Sequence, residues 1–162
     1  MPEFVLFVCT GNTCRSPLAA ALCRTLLAAR LGCAEGELEG RGWTVGSAGV
    51  AAWPGDPATP AAVLVATEHG ADLSGHHSRA VSPELLAAAT KVVAMTRGHA
   101  ATVAARFPGV GPDPGLIGGP DDDLPDPIGG DLSVYRACAG TLLAHLDRRL
   151  TEWLGVKDGR CE

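Results

Sequence analysis

The sequence predicts a single α/β domain in which parallel strands alternate with helices. Three observations predict it. Phe4 to Val8 is an unbroken apolar run of strand length, as found in strands buried on both faces of a parallel sheet. Two more short strand-like runs, Trp43–Val45 and Lys91–Met95, are separated from it and from each other by helix-patterned stretches. The chain then closes on a long amphipathic helix, Ser133 to Leu154, with Leu142, Leu143, Leu146 and Leu150 spaced to form one buried face. Strand–helix alternation of this kind implies right-handed crossovers. A length of 162 residues suits one domain spanning 1–162, of which 155–162 read as a frayed tail.

Taken in order, Cys9 ends the first strand and a short loop carries the chain to Arg15. Ser16 suits a helix cap, Pro17 suits a first helical position, and Leu18 to Ala29 is rich in helix formers. Leu31 to Gly42, with four glycines, reads as loop. Trp43–Val45, with Ser47-Ala48-Gly49 behind it, reads as a second short strand. Pro54 to Pro60 is turn-rich, and Thr59 followed by Pro60 opens a helix from Ala61 to His69 that Gly70 ends. Ser78 to Ser82 is irregular, and Pro83 starts a helical stretch through Thr90. Lys91–Met95 is the third strand, and Thr96 leads into a helix ending near Phe107. From Pro108 to Gly130, six prolines, seven glycines and five aspartates make the chain mostly loop, with a weak fourth strand near Leu116-Ile117. A loop of this length in a compact domain is usually functional.

Composition narrows the function classes. An apolar fraction of 46% excludes wholesale disorder, and a net charge of -5 argues against non-specific nucleic-acid binding, which needs a basic face. Phosphorylated substrates stay open, because a local site can oppose the global sign. No run approaches a membrane span, Phe4–Val8 is too short for a signal-peptide core, and Pro2 and Glu3 supply no positive flank. A cytoplasmic monomer with no membrane partner is therefore expected. The six cysteines (Cys9, Cys14, Cys23, Cys33, Cys138, Cys161) are irregularly spaced with no Cys-x-x-Cys pair. They suggest free thiols rather than a disulfide framework or a zinc site, so no metal is expected.

The first strand–loop–helix carries the chemistry. A loop opening into a helix N-terminus offers backbone N–H groups and a positive dipole end to an anion, and such surroundings favour a thiolate. A phosphate held against the sulfur of Cys9 is the expected arrangement. Of the six cysteines only Cys9 has an arginine six positions on. The plain alternative is a packed free cysteine with Arg15 on a helix surface. In the catalytic alternative the fixed fork of Arg15 clamps two phosphoryl oxygens. Asn12 suits the left-handed backbone that a tight anion loop needs. Among Asp121, Asp122, Asp123 and Asp126, residue type alone does not choose an acid.

Cys9-Thr10-Gly11-Asn12-Thr13-Cys14-Arg15-Ser16-Pro17 resembles the phosphate-binding loop of the low-molecular-weight protein tyrosine phosphatase family. Asp126-Pro127 with Tyr135 downstream is similar to that family's acid loop, and Ser47-Ala48-Gly49 and His76-His77-Ser78-Arg79 to its supporting segments. The resemblance covers nearly the whole chain. It implies a four-stranded parallel sheet flanked by helices on both faces, and hydrolysis of phosphorylated proteins without a cofactor. Cys9 would attack phosphorus to form a phosphocysteine, while the amides of Thr10 to Cys14 and the Arg15 guanidinium would hold the phosphoryl oxygens. Asp126 would protonate the leaving group and then deprotonate water. Asn12 would be held by Ser16 and His76, with Ser47 supporting the loop; a plain surface role for His76 stands as the alternative. Cys14 would face the pocket and pair reversibly with Cys9 on oxidation, or simply fill space.

Thr13 is the departure that bears on substrate. Tyrosine phosphatases of this family usually carry a larger aliphatic residue there, whereas threonine resembles the bacterial protein-arginine phosphatase branch. Asp126-Pro-Ile-Gly-Gly130, Ala58-Thr-Pro60 and Ala94-Met-Thr96 lean the same way. A hydroxyl can accept from a guanidinium. Trp53 lies where tyrosine phosphatases place an aromatic wall, but Ile128 replaces their second aromatic, and a tryptophan stacks on a guanidinium as readily as on a phenol. Phosphoarginine is thus the expected substrate and phosphotyrosine the alternative. Arsenate reductases share the fold but relay electrons through further cysteines, and none lies between Cys33 and Cys138. A non-catalytic phosphate-binding module would be expected to lack the nucleophile or the acid.

Overall fold

A computed structural model of the protein describes residues 2–120 and 122–155. Four parallel strands, β1 (Glu3–Cys9), β2 (Trp43–Gly49), β3 (Lys91–Ala94) and β4 (Gly115–Leu116), form one sheet in the order β2-β1-β3-β4. Five helices accompany them: α1 (Arg15–Leu31), α2 (Pro60–Glu68), α3 (Pro83–Ala88), α4 (Arg97–Arg106) and α5 (Leu132–Leu154).

Residues alternate across the central strand, so its apolar run feeds two cores. Val5, Phe7 and Cys9 pack with α1, α2 and α5, whereas Leu6 and Val8 pack with Leu86 of α3 and Val103 of α4. The sheet is therefore covered on both sides, as expected for parallel strands. On α5, Leu142, Leu146 and Leu150 are fully buried. Leu143 is only partly buried, and the core side of the helix is completed by Tyr135, Cys138 and Ala139 instead.

The remaining differences are local. Trp43–Gly49 is one continuous seven-residue strand, because Gly46 leaves room for the Arg79 guanidinium and the Phe4 ring above it. The fourth strand sits one residue earlier than Leu116-Ile117, and the loop between α1 and β2 contains two short 3-10 turns, Glu35–Glu37 and Glu39–Arg41. Thr59, Ser82, Thr96 and Asp131 each cap a helix by accepting a backbone N–H through the side chain. The expected tail, 155–162, lies outside the described residues beyond Gly155. Among the described residues no helix is long and apolar enough to cross a membrane.

The strand order fixes where a ligand binds. From β1 the chain moves to β2 on one side, then crosses back to β3 and continues outward to β4. The direction reverses between β1 and β3, and the carboxyl ends of those two strands are where open α/β sheets place their sites.

Candidate active site

Cys9 is the last residue of β1, at that reversal, and is 3% exposed. The loop after it is turned inside out. The carbonyls of Cys9, Thr10, Thr13 and Cys14 accept from the amides of Val50, Ala51, Thr59 and Leu18, and that of Asn12 accepts from the His76 ring. The amides of Gly11 to Cys14 donate to no group among the described residues. With its acceptors engaged by the scaffold, the loop presents donors to an anion. Ser16 does not cap α1, contrary to the sequence expectation. The helix begins at Arg15, Cys14 before it makes no side-chain cap bond, and Pro17 is the third helical residue.

Asn12 holds the loop's shape. It is fully buried with φ 57°, the one non-glycine residue with positive φ among the described residues. Its Nδ2 donates to Ser16 Oγ and Ser47 Oγ, both at 2.9 Å, and its Oδ1 accepts from the Arg79 amide at 2.9 Å. His76 Nε2 donates to its carbonyl at 2.6 Å, so His76 is no idle surface residue. The Ser16 hydroxyl, accepting from Asn12, keeps its proton for Cys9 Sγ at 2.8 Å or for the Ala48 carbonyl at 3.4 Å. Gly49 matters by its lack of a side chain: a Cβ there would collide with the Thr10 carbonyl and sit 3.0 Å from the Asn12 nitrogen.

Arg15 is 6% exposed and joins this loop to the second one. Its Nη1 donates to the Leu124 carbonyl at 2.9 Å, and its Nη2 lies 3.5 Å from Asp126 Oδ2. Asp126 is half-exposed and accepts from the Ile128 amide at 3.1 Å. The described aspartates beside it are held by specific partners. Asp123 Oδ1 accepts from the Arg97 amide at 2.8 Å and from Arg97 Nε at 3.3 Å, and these bonds hold its carboxyl below the usual range. Asp122 faces His145 at 3.4 Å. Asp121 lies outside the described residues. Among the described aspartates, Asp126 is the carboxylate beside Arg15.

Cys14 is buried, its sulfur 3.5 Å from Thr59 Oγ1 and 3.4 Å from the Tyr135 hydroxyl. Tyr135 therefore lies under the loop on α5, not at the mouth. Trp53 and Ile128 are 78% and 63% exposed, on loops that leave the carboxyl ends of the strands and precede α5. Burial pushes the thiols of Cys23 and Cys138 up to about 12 and about 11, so neither is a competing nucleophile. Cys33 is half-buried, and Cys161 lies outside the described residues.

Sequence reasoning misses one contact altogether. Thr10 Oγ1 lies 2.8 Å from His99 Nε2, and the imidazole is buried with Nδ1 unpaired among the described residues. Burial, then the Arg15 charge, lowers His99 to about 4, and burial also lowers His76 and His145. All three take up a proton less readily in the fold than in the unfolded chain, where histidines titrate near 6.5. Stability should therefore be complete above about pH 6.5 and fall as acid is added toward pH 4. For His99 alone the loss at about pH 5 is on the order of 1–2 kcal/mol. Urea unfolding across that range checks it, and a flat profile contradicts it.

Comparison with known proteins gives consistent results. The family model described as "Low molecular weight phosphotyrosine protein phosphatase" matches residues 4–157. The chain is 39% identical over 155 residues to a protein-arginine-phosphatase of Geobacillus stearothermophilus, covering 91% of this chain and 94% of the relative. Among solved structures, a YwlE arginine phosphatase mutant with a phosphorylated active-site serine superposes with TM-score 0.81 at 36% identity, covering 99% and 100% of the two chains. A low molecular weight protein tyrosine phosphatase from T. tengcongensis also reaches 0.81, at 34% identity, covering 93% and 99%.

Proposed function

This chain belongs to the low molecular weight phosphotyrosine protein phosphatase family, and from that premise we propose that it removes phosphate from phosphoarginine in proteins through a phosphocysteine on Cys9. The observation that carries the reading is the inverted loop: five carbonyls tied outward and four amides free, above a sulfur at the strand end.

The sulfur of Cys9 attacks phosphorus, the P–N bond breaks, and Asp126 delivers its proton to the departing guanidine nitrogen. The loop amides and Arg15 hold the three equatorial oxygens, where negative charge develops. A hydroxyl donor from Ser16 stabilises charge on the sulfur before attack and after release. Asp126, now ionised, takes a proton from water as that water attacks phosphorus, the P–S bond breaks, and phosphate leaves. Asn12, Ser16, Ser47 and His76 keep the loop in shape throughout. A reversible Cys9–Cys14 disulfide belongs to the same reading: an external peroxide oxidises the Cys9 sulfur to a sulfenic acid, and Cys14, giving up its contacts to Thr59 and Tyr135, attacks that sulfur with loss of water. The reading takes the protein as a cytoplasmic monomer acting on phosphorylated proteins.

Two things favour phosphoarginine: a protein-arginine-phosphatase relative over most of the chain, and Thr13. The Thr13 hydroxyl makes only a long contact to Cys14 Sγ, 3.9 Å, so its lone pairs are free to accept from a guanidinium. Exposed Trp53 is the observation that favours phosphotyrosine, as an aromatic wall for a phenol. Kinetics on matched phosphoarginine and phosphotyrosine peptides separate the two. Thr13→Ile is expected to shift the ratio of kcat/KM toward phosphotyrosine by about 10-fold or more, because an apolar wall leaves guanidinium donors unpaired. An unchanged ratio removes Thr13 from specificity, and a wild type that prefers phosphotyrosine makes the second reading the correct one.

A further inference from the structure

His99 poses a question that the phosphatase cycle leaves open. Its side chain is 6% exposed, yet one ring nitrogen has no partner among the described residues. Burying an unpaired nitrogen costs stability, so the residue needs a reason to be there. The other nitrogen supplies one, since it reaches Thr10, the residue directly after the nucleophile, at 2.8 Å.

The same helical turn holds the other half of the site. Thr96 caps α4, its hydroxyl accepting from the His99 amide at 3.2 Å, which fixes where the imidazole starts. Two residues before His99, Arg97 offers its amide and Nε to Asp123, three positions before Asp126. Directly below, Met95 donates to the Val8 carbonyl at 3.0 Å and accepts from the Leu124 amide at 2.9 Å. Thus Met95, Arg97 and His99, at or just before the start of α4, between them touch the strand and loop that carry Cys9 and the loop that carries Asp126.

We infer that the first turn of α4 is a strut that sets the position of the acid loop relative to the nucleophile loop, with His99 and Asp123 as its positioning residues. The inference rests on the phosphatase reading for its kinetic consequences, though not for its structural ones. His99 fixes the Thr10 end and Asp123 the Asp126 end, through a helix turn that Thr96 caps. Neither side chain reacts. Each acts through its neighbour, and small displacements at a reacting centre are expensive.

The test uses the intact protein, with para-nitrophenyl phosphate and phenyl phosphate as substrates of easier and harder leaving groups. His99→Asn and Thr10→Val are each expected to lower kcat about 10-fold on both substrates, with the double variant no worse than either single one. His99→Gln, whose terminal nitrogen reaches the place of Nε2, should stay within about threefold of wild type. Asp123→Ala is expected to lower kcat about 10-fold on phenyl phosphate but under about threefold on para-nitrophenyl phosphate, since it disturbs delivery of the proton. Asp123→Asn, which keeps the acceptor for Arg97, should recover most of that loss. Additive losses in the Thr10–His99 pair, a Gln variant as poor as Asn, or an Asp123→Ala loss equal on both substrates would each overturn the strut.

Amide hydrogen exchange provides a readout without turnover. His99→Asn should speed exchange at the Val50, Ala51 and Thr59 amides, which bind the carbonyls of the nucleophile loop, and Asp123→Ala should speed it in residues 122–127. Unchanged exchange in both variants overturns the inference. If the wild type turns over no phosphate compound while these exchange changes appear, the phosphatase reading fails and the strut stands.

Discussion

Cys9→Ser is expected to abolish phosphate release, lowering kcat by at least about 10³-fold while leaving the fold intact. The substitution exchanges a sulfur for an oxygen in a site that is 3% exposed, 2.8 Å from the Ser16 hydroxyl. Shape and burial are nearly preserved, so the melting transition should shift little. What changes is the nucleophile, because a serine hydroxyl at neutral pH attacks poorly unless a base stands beside it. No base stands against that side chain, whose described partner is the Ser16 hydroxyl; the nearby imidazoles of His99 and His76 are engaged with Thr10 and the Asn12 carbonyl instead. The amides of Gly11 to Cys14 are untouched, so phosphate should still bind. Release of para-nitrophenol from para-nitrophenyl phosphate, with inorganic phosphate as a protecting ligand in thermal melts, checks both halves. Full turnover by the serine protein would end the cysteine mechanism.

Asp126→Asn should lower kcat by about 10²–10³-fold, more on phenyl phosphate than on para-nitrophenyl phosphate, because a poor leaving group depends most on a delivered proton. Asparagine keeps an oxygen for the Ile128 amide, so the loop's local turn survives and the loss reports the proton. Asp122→Asn is the control. Its carboxylate faces His145 on α5, away from Arg15, and a change within about threefold is expected. Equal losses in the two variants, or the opposite ranking, would show that the acid lies elsewhere in the loop.

Much of this site was legible in the chain because its key residues are close in sequence. A strand, five loop residues and a helix start are local objects, and the Cys9-to-Arg15 segment is one turn of chain around an anion. Asn12 could be chosen because few residue types tolerate φ 57°. Asp126 was different: carboxylate chemistry alone left four candidates, and only the match to a known loop selected it. Its distance of 3.5 Å to Arg15 spans over a hundred residues of intervening chain and depends on how β4 and α5 deliver the loop. Ser16 was misassigned as a cap for a reason that is also local. Serine before proline suits many helix starts, but here the side chain turns inward to Asn12 and Cys9.

Residue order by itself determined the strand–helix alternation, the buried central strand and the loop that opens α1. Each of these follows from steric and hydrophobic preferences that act over a few residues. Only the tertiary structure decided that His99 stands against Thr10, that Tyr135 lies beneath Cys14, and that Asp123 is tied to the start of α4. Those contacts join residues 26 to 121 positions apart. No local preference encodes them, because a histidine or an aspartate on a helix start has the same propensity whatever it later touches. Their partners are set by sheet order, which brings β3 beside β1 and so seats α4 against the nucleophile loop.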